Sequence, residues 1–300
     1  MLRPIIRMFC GLLVAAGIAR AGEDAPVYRM KAWLDVSDRE LSALGRQVLE
    51  SGGTAWFHAE GDRTICHGAS IRSVDAAAQA AGFAVDEIGR KLYLPARTQK
   101  IHVFLIDDEK QWEKLIQKHG FRPDGLAMQL GRELFVLTAR ADGDMARRVV
   151  HELVHVRMRE LCADNLPLWL DEGTALYLGN EVEREFLEKQ GEDADKSFSR
   201  GEVRAMSLKQ AERQNAYPPD TYQARAFYAT TEAVVAWTVQ QLGEEVFPDV
   251  IRAACDGRDI DFLSLLSDRF GVTTEQSRKL HRMLDGMVTY RRASNDHGDK

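Results

Sequence analysis

Two kinds of periodicity divide this chain. Up to about residue 163, short runs of β formers alternate with stretches of helical spacing; beyond it the helical period alone continues. That change constrains the fold more than any other feature. It predicts an α+β chain, with an N-terminal mixed α/β lobe holding a small sheet and a C-terminal helical lobe. One helix, from Met145 to about Cys162, stands at the seam. The clearest strands are the apolar run Ile101–Ile106 and the segment Glu133–Thr138. Shorter candidates are Thr54–Phe57 and Thr64–Cys66, around a turn at Glu60-Gly61-Asp62, and Lys91–Leu94. Helices are expected over Arg39–Leu49, over Ser70–Ala81 with a stop at Gly82, and from Asp107 through Trp112, Leu115 and Ile116. After the seam they are expected over Pro167–Leu178, closed by Gly179, and over Ala224–Leu242 behind the breaker Pro218-Pro219. Two or three more cover 244–292, and the charged run 181–215 reads as solvated surface.

Residues 1–21 stand apart. Arg3 and Arg7 precede an apolar stretch from Met8 to Ile18, and Ala19-Arg20-Ala21 offers small residues at alternate positions, the pattern of an export signal cleaved after Ala21. A short membrane anchor or a buried helix would be the alternative. Cleavage removes three arginines and no acids, taking the formal charge from −6 to −9. The expected division is therefore 1–21 signal, 22–99 N-terminal α/β region, 100–292 main domain and 293–300 frayed tail. The expected location is periplasmic or extracellular. With 40 basic against 46 acidic residues the chain lacks the basic excess of a nucleic-acid binder. No apolar run approaches the ~20 residues that span a bilayer, so no membrane span is expected in the mature chain. Cys66, Cys162 and Cys255 match no metal-site spacing. At most one disulfide can join them, and spacing does not choose the pair.

Residues 151–155 read His-Glu-Leu-Val-His. On a helix, positions four apart lie about 40° around the axis, so both imidazoles share one face and can share one metal. Glu152 sits about 100° from His151, beside such an ion and not on it, where a general base for water belongs. Val149, Val150, Leu153, Val154 and Val156 cluster on the opposite face, which would bury. Arg157 also falls on that apolar side, as if the helix were ending. An ordinary amphipathic helix with two surface histidines is the simpler alternative. A catalytic zinc takes three protein ligands. Glu172, in Leu-Pro-Leu-Trp-Leu-Asp-Glu-Gly-Thr-Ala (166–175), lies on the next helix, with a gap suited to an antiparallel return. Gly173 and Ala175 lack bulk and would let that helix approach the first. Asp171 is either an aligner of an imidazole or a solvated acid. His58, His67, His102, His119, His281 and His297 have no partner at ligand spacing.

HELVH followed by LPLWLDEGTALY resembles the gluzincin metallopeptidases, the branch of the zincins that pairs HExxH with a glutamate. It is most similar to bacterial exported peptidase MA-like domains. The resemblance is specific over 145–178 and loose over about 100–242. It implies a zincin-like fold, one Zn²⁺ per chain held by His151, His155 and Glu172, and Glu152 as the base that activates water on the metal. Tyr228, in Tyr228-Ala229-Thr230-Thr231, matches a family tyrosine and is the candidate to stabilise the oxyanion, with Tyr222 second. The partner implied is a peptide or protein substrate. The GAMEN-type exopeptidase motif is absent, which favours an endopeptidase with an open groove, and Thr230-Thr231 stands where the family has Gln-Ser. Glu133–Thr138 is expected to be the sheet edge that receives an extended substrate. A zinc-binding pseudoenzyme or accessory domain of the cell envelope is the competing function, and a structural helical protein with a chance HExxH is a third.

Overall fold

The computed structural model describes residues 27–31, 41–51, 56–119, 125–139, 145–162, 166–191, 198–256 and 261–292. The leader 1–21 and the tail 293–300 lie outside them. Six strands form one mixed sheet: β1 (Val27–Lys31), β2 (Trp56–Glu60), β3 (Thr64–Gly68), β4 (Ile101–Ile106), β5 (Ala127–Leu130) and β6 (Glu133–Leu137). Their spatial order is β1-β2-β3-β4-β6-β5. The turn expected at Glu60-Gly61-Asp62 joins β2 to β3, with Gly61 N–H donating to Thr64 O at 2.9 Å. β3 and β4 are parallel neighbours, so the sheet runs straight across residue 100. All six residues of β4 are buried, because helices cover both sheet faces.

Glu133–Thr138 is not the sheet edge. β6 is internal: Val136 lies beside Leu105 of β4 on one side and Ala127 of β5 on the other. A two-residue turn at Gly131-Arg132 folds β5 back along β6. Gly131 adopts φ +60°, a conformation that costs glycine little. Ala127-Met128-Gln129-Leu130 carries no β-branched residue, so its strand state comes from this pairing and not from its own preference.

Two helices flank each face. α1 (Ala43–Ser51) and α3 (Glu109–His119) cover one, packing Leu44, Val48, Trp112 and Ile116 on Phe104 and Phe135. α2 (Ile71–Lys91) and α4 (Met145–Cys162) cover the other. Two expectations fail along α2. The helix passes through Gly82, since the buried stripe of Val74, Ala78, Ala81, Val85 and Ile88 continues past it. Lys91–Leu94 is the helix end and a turn, not a strand, with Leu92 as C-cap and Tyr93 at φ 51°. Arg157 does not mark the end of α4 either. It is buried, donates to Pro95 O at 3.1 Å and pairs with Glu160. Gly89 of α2 makes room for it, since a Cβ there would sit 2.6 Å from the guanidinium.

The second half holds α5 (Leu168–Gln190), β7 (Phe198–Arg204), α6 (Leu208–Glu212), α7 (Thr221–Leu242), α8 (Phe247–Asp256), α9 (Phe262–Phe270), α10 (Thr274–Gly286) and β8 (Val288–Arg292). α5 does not stop at Gly179; it ends at Gly191, in the left-handed conformation. The run 181–215 is therefore not simply solvated surface. Val182, Glu183 and Phe186 are buried on α5, and Leu208 and Ala211 on α6. The region is not wholly helical, because β7 pairs antiparallel with β8 across more than 80 intervening residues, a pairing that no local periodicity announces. Cys162 at the end of α4 is disulfide-bonded to Cys255 of α8, and Cys66 is a buried free thiol that burial pushes up to about 12. The whole is the α+β architecture expected, with a small sheet in the N-terminal part, helices dominating the C-terminal part and α4 between them. Among the described residues, no helix is long and apolar enough to cross a membrane.

Candidate metal centre

The site forms where α4 and α5 lie side by side. Val149, Val150, Leu153, Val154 and Val156 of α4 are buried in the core, which turns His151 and His155 towards α5. Gly179 of α5 lies against the backbone of His151: a Cβ there would be 3.5 Å from its Cα, an ordinary contact that a larger side chain would exceed. Gly173 plays a different part from the one its place beside Glu172 implies. A Cβ at Gly173 would meet Thr231 O of α7 at 2.5 Å, so this glycine admits α7, not α4. α5 is thus held between two helices, and Glu172 faces the gap.

His151, His155 and Glu172 come together as a group that could hold a metal ion. His151 Nε2 and His155 Nε2 are 3.2 Å apart. Glu172 spans the pair, with Oε2 3.6 Å from His151 Nε2 and Oε1 3.6 Å from His155 Nε2. A tetrahedral zinc with ligands at about 2.0–2.1 Å separates its donor atoms by about 3.3–3.4 Å. The two nitrogens, and one carboxylate oxygen against each of them, already stand near that separation, and two imidazoles with one carboxylate are a donor set that zinc accepts. The residues present therefore fit such an ion.

Neighbouring groups fix the ligands. Asp171 Oδ1 is 2.8 Å from His155 Nδ1, so Asp171 is not a solvated acid; its bond aims Nε2 at the gap. Tyr217, on the segment between α6 and α7, donates its hydroxyl to Glu172 Oε1. Burial works against charge on His155. Asp171, Glu172 and Glu152 outweigh it and raise the imidazole to about 10. Glu172 is also disfavoured by burial, yet His155, His151 and the Tyr217 hydroxyl hold it down to about 2. Glu152 moves the other way: burial raises it, with Glu172 and Asp171 adding to the effect and the two histidines opposing it. Burial and the charge of Glu172 raise the Tyr217 phenol, keeping it a donor.

Of the two tyrosines singled out from sequence, Tyr228 lies half-buried with its ring 6.5 Å from that of Tyr217. Tyr222 is 53% exposed and accepts from the Arg204 N–H, on the surface beside β7. A tyrosine that sequence reasoning missed, Tyr217, touches a candidate ligand. Its only local signal is the Pro218-Pro219 that follows, which restricts the backbone just before it. A second unanticipated group lies on the His151 side. Glu232 of α7 is half-buried, raised by desolvation, and accepts from Asn180 of α5 at 2.6 Å.

Three histidines without partners at ligand spacing do have partners in space. His58 Nδ1 lies 2.7 Å from His67 Nδ1, and His67 Nε2 lies 3.0 Å from His102 Nδ1, a buried row across β2, β3 and β4. At 2.7 Å the first contact is a hydrogen bond, too short for two ligands of one ion.

No family model matches the chain, and no curated protein matches it. Among solved structures, native yeast LTA4 hydrolase matches with a TM-score of 0.44 and 13% identity, over 76% of this chain and 38% of that one. The chain thus spans well under half the length of that protein. Fold and site together define a mixed α+β chain with a candidate three-residue metal centre on two adjacent helices.

Proposed function

We propose that this chain is an exported, zinc-dependent peptide hydrolase of the gluzincin type. One observation carries the reading: two imidazoles and one carboxylate stand at zinc-ligand spacing, with a further buried carboxylate, Glu152, one residue from the first imidazole. A zinc ion held by His151, His155 and Glu172 would supply a Lewis acid and make water acidic enough to deprotonate near neutral pH. Glu152 accepts the proton of the attacking water and hands it to the leaving amine. Its raised affinity for a proton suits both halves of that task. Asp171 keeps the His155 ring aimed at the ligand gap. A tyrosine hydroxyl, Tyr228 as first choice, donates to the oxyanion. The substrate is an extended peptide or protein segment. It adds to β5, the outer strand beside β6, in place of the β6 edge expected from sequence. The Cys162–Cys255 bridge supports export to an oxidising compartment.

The test is metal analysis and cleavage of an unstructured protein substrate by the wild type and by Glu152→Gln. The expected outcome is about one zinc per chain in both and cleavage in the wild type alone. Zinc without cleavage in the wild type points to a binding or accessory role. Absence of zinc removes both readings.

A further inference from the structure

We propose that Tyr217 is a positioning residue that presents Glu172 to the metal and thereby sets the affinity of the site. The inference rests on reading His151, His155 and Glu172 as ligands. Glu172 is 3% exposed and reaches both imidazoles equally, Oε2 towards His151 and Oε1 towards His155, each at 3.6 Å. A carboxylate placed this way has no intrinsic preference for which oxygen it gives to an ion. A buried carboxylate oxygen also needs a donor wherever it is not bound to the ion. The Tyr217 hydroxyl supplies that donor on Oε1, while Oε2 is turned to His151 Nε2 as the oxygen offered for coordination.

The hydroxyl comes from far along the chain, 45 residues from Glu172, and it is delivered from firm ground. Pro218, which is buried, and Pro219 follow it directly, and a residue before proline is confined to extended backbone. The Tyr217 ring lies 6.5 Å from that of Tyr228 on α7. α7 in turn abuts α5 at Gly173, next to Glu172. Asp171 does for His155 what Tyr217 does for Glu172, so two of the three ligands are oriented by a hydrogen bond from outside the ligand set. Loss of such a partner weakens metal binding by roughly 10–100-fold.

The experiment measures zinc affinity by chelator competition, and the visible spectrum of the cobalt-loaded protein, in wild type, Tyr217→Phe and Pro218→Ala. Tyr217→Phe deletes one oxygen and keeps the ring. Roughly 10–100-fold weaker zinc binding is expected, with altered cobalt bands that report the carboxylate's changed geometry. Pro218→Ala keeps the hydroxyl but frees the backbone that carries it, and a smaller weakening is expected. Wild-type affinity and an unchanged cobalt spectrum in Tyr217→Phe overturn the inference. If that variant does not fold, wild-type affinity in Pro218→Ala overturns it. A wild-type protein that binds neither metal overturns the ligand reading itself, a result distinct from either variant matching a zinc-binding wild type.

Discussion

At the scale of single residues, the site is organised by charge as much as by position. His155 lies buried among Asp171, Glu172 and Glu152, and these hold it protonated at pH 7, since its value is raised to about 10. An ion must bind the neutral ring, so binding expels that proton. The expected result is release of about one proton per zinc at pH 7, and an affinity that climbs as pH rises through neutrality. Titration calorimetry in two buffers of different ionisation heat measures it, and a buffer-independent heat would contradict it. His151, Glu152 and His155 were legible in the sequence because one helix carries all three and its period dictates their faces. Glu172 was legible as a spacing on the following helix. Tyr217 was not, because its contact depends on a turn between two helices that sequence periodicity does not describe.

Among elements, two helix glycines carry opposite expectations. An alanine gains up to about 1 kcal/mol over glycine inside a helix where space allows. At Gly179 the added methyl makes only an ordinary contact with His151 Cα, at 3.5 Å. At Gly173 it would lie 2.5 Å from a backbone oxygen of α7, which cannot rotate away as a side chain can. Gly179→Ala should therefore be neutral or slightly stabilising, and Gly173→Ala should destabilise by about 1–3 kcal/mol. Denaturant unfolding of the two variants compares them, and equal midpoints would show that α5 is not pinned between α4 and α7. Strand β6 carries a different expectation. Because Val136 is internal, Val136→Pro should cost the fold itself, seen as loss of cooperative melting, and not merely substrate binding. Strand Glu133–Thr138 could be read from its β formers, but its place in the sheet could not, because β5 carries little strand signal of its own.

Across the whole molecule, two long-range features set the response to redox and acid. The Cys162–Cys255 bridge closes a separation of 93 residues between α4 and α8. Replacing both cysteines by alanine should lower stability by roughly 2–5 kcal/mol, measured by chemical unfolding under oxidising conditions. In the histidine row, burial first, then Arg132 and Lys100, lower His102 to about 4 against the opposing Glu60. The folded state keeps this ring neutral while the unfolded chain takes up a proton near pH 6.5, so its contribution is full above 6.5 and is lost as pH falls towards 4. His102→Leu should flatten the decline of melting temperature between pH 6.5 and 4. An unchanged slope would assign that decline to other groups.

The period of a single element dictates what can be read without neighbours. This covers the mixed first half, the buried β4 run, the core face of α4 and the shared face of His151 and His155. Helix lengths do not follow from a glycine alone, since the apolar stripes of α2 and α5 run on through Gly82 and Gly179. Tertiary structure alone decided the rest: β5 outside β6, the β7–β8 pairing, the choice of Cys162 with Cys255, the histidine row, and the hydroxyl of Tyr217 on Glu172. Each of these joins groups from different elements, and such contacts depend on how apolar faces pack against one another, which the pattern within a single element does not encode.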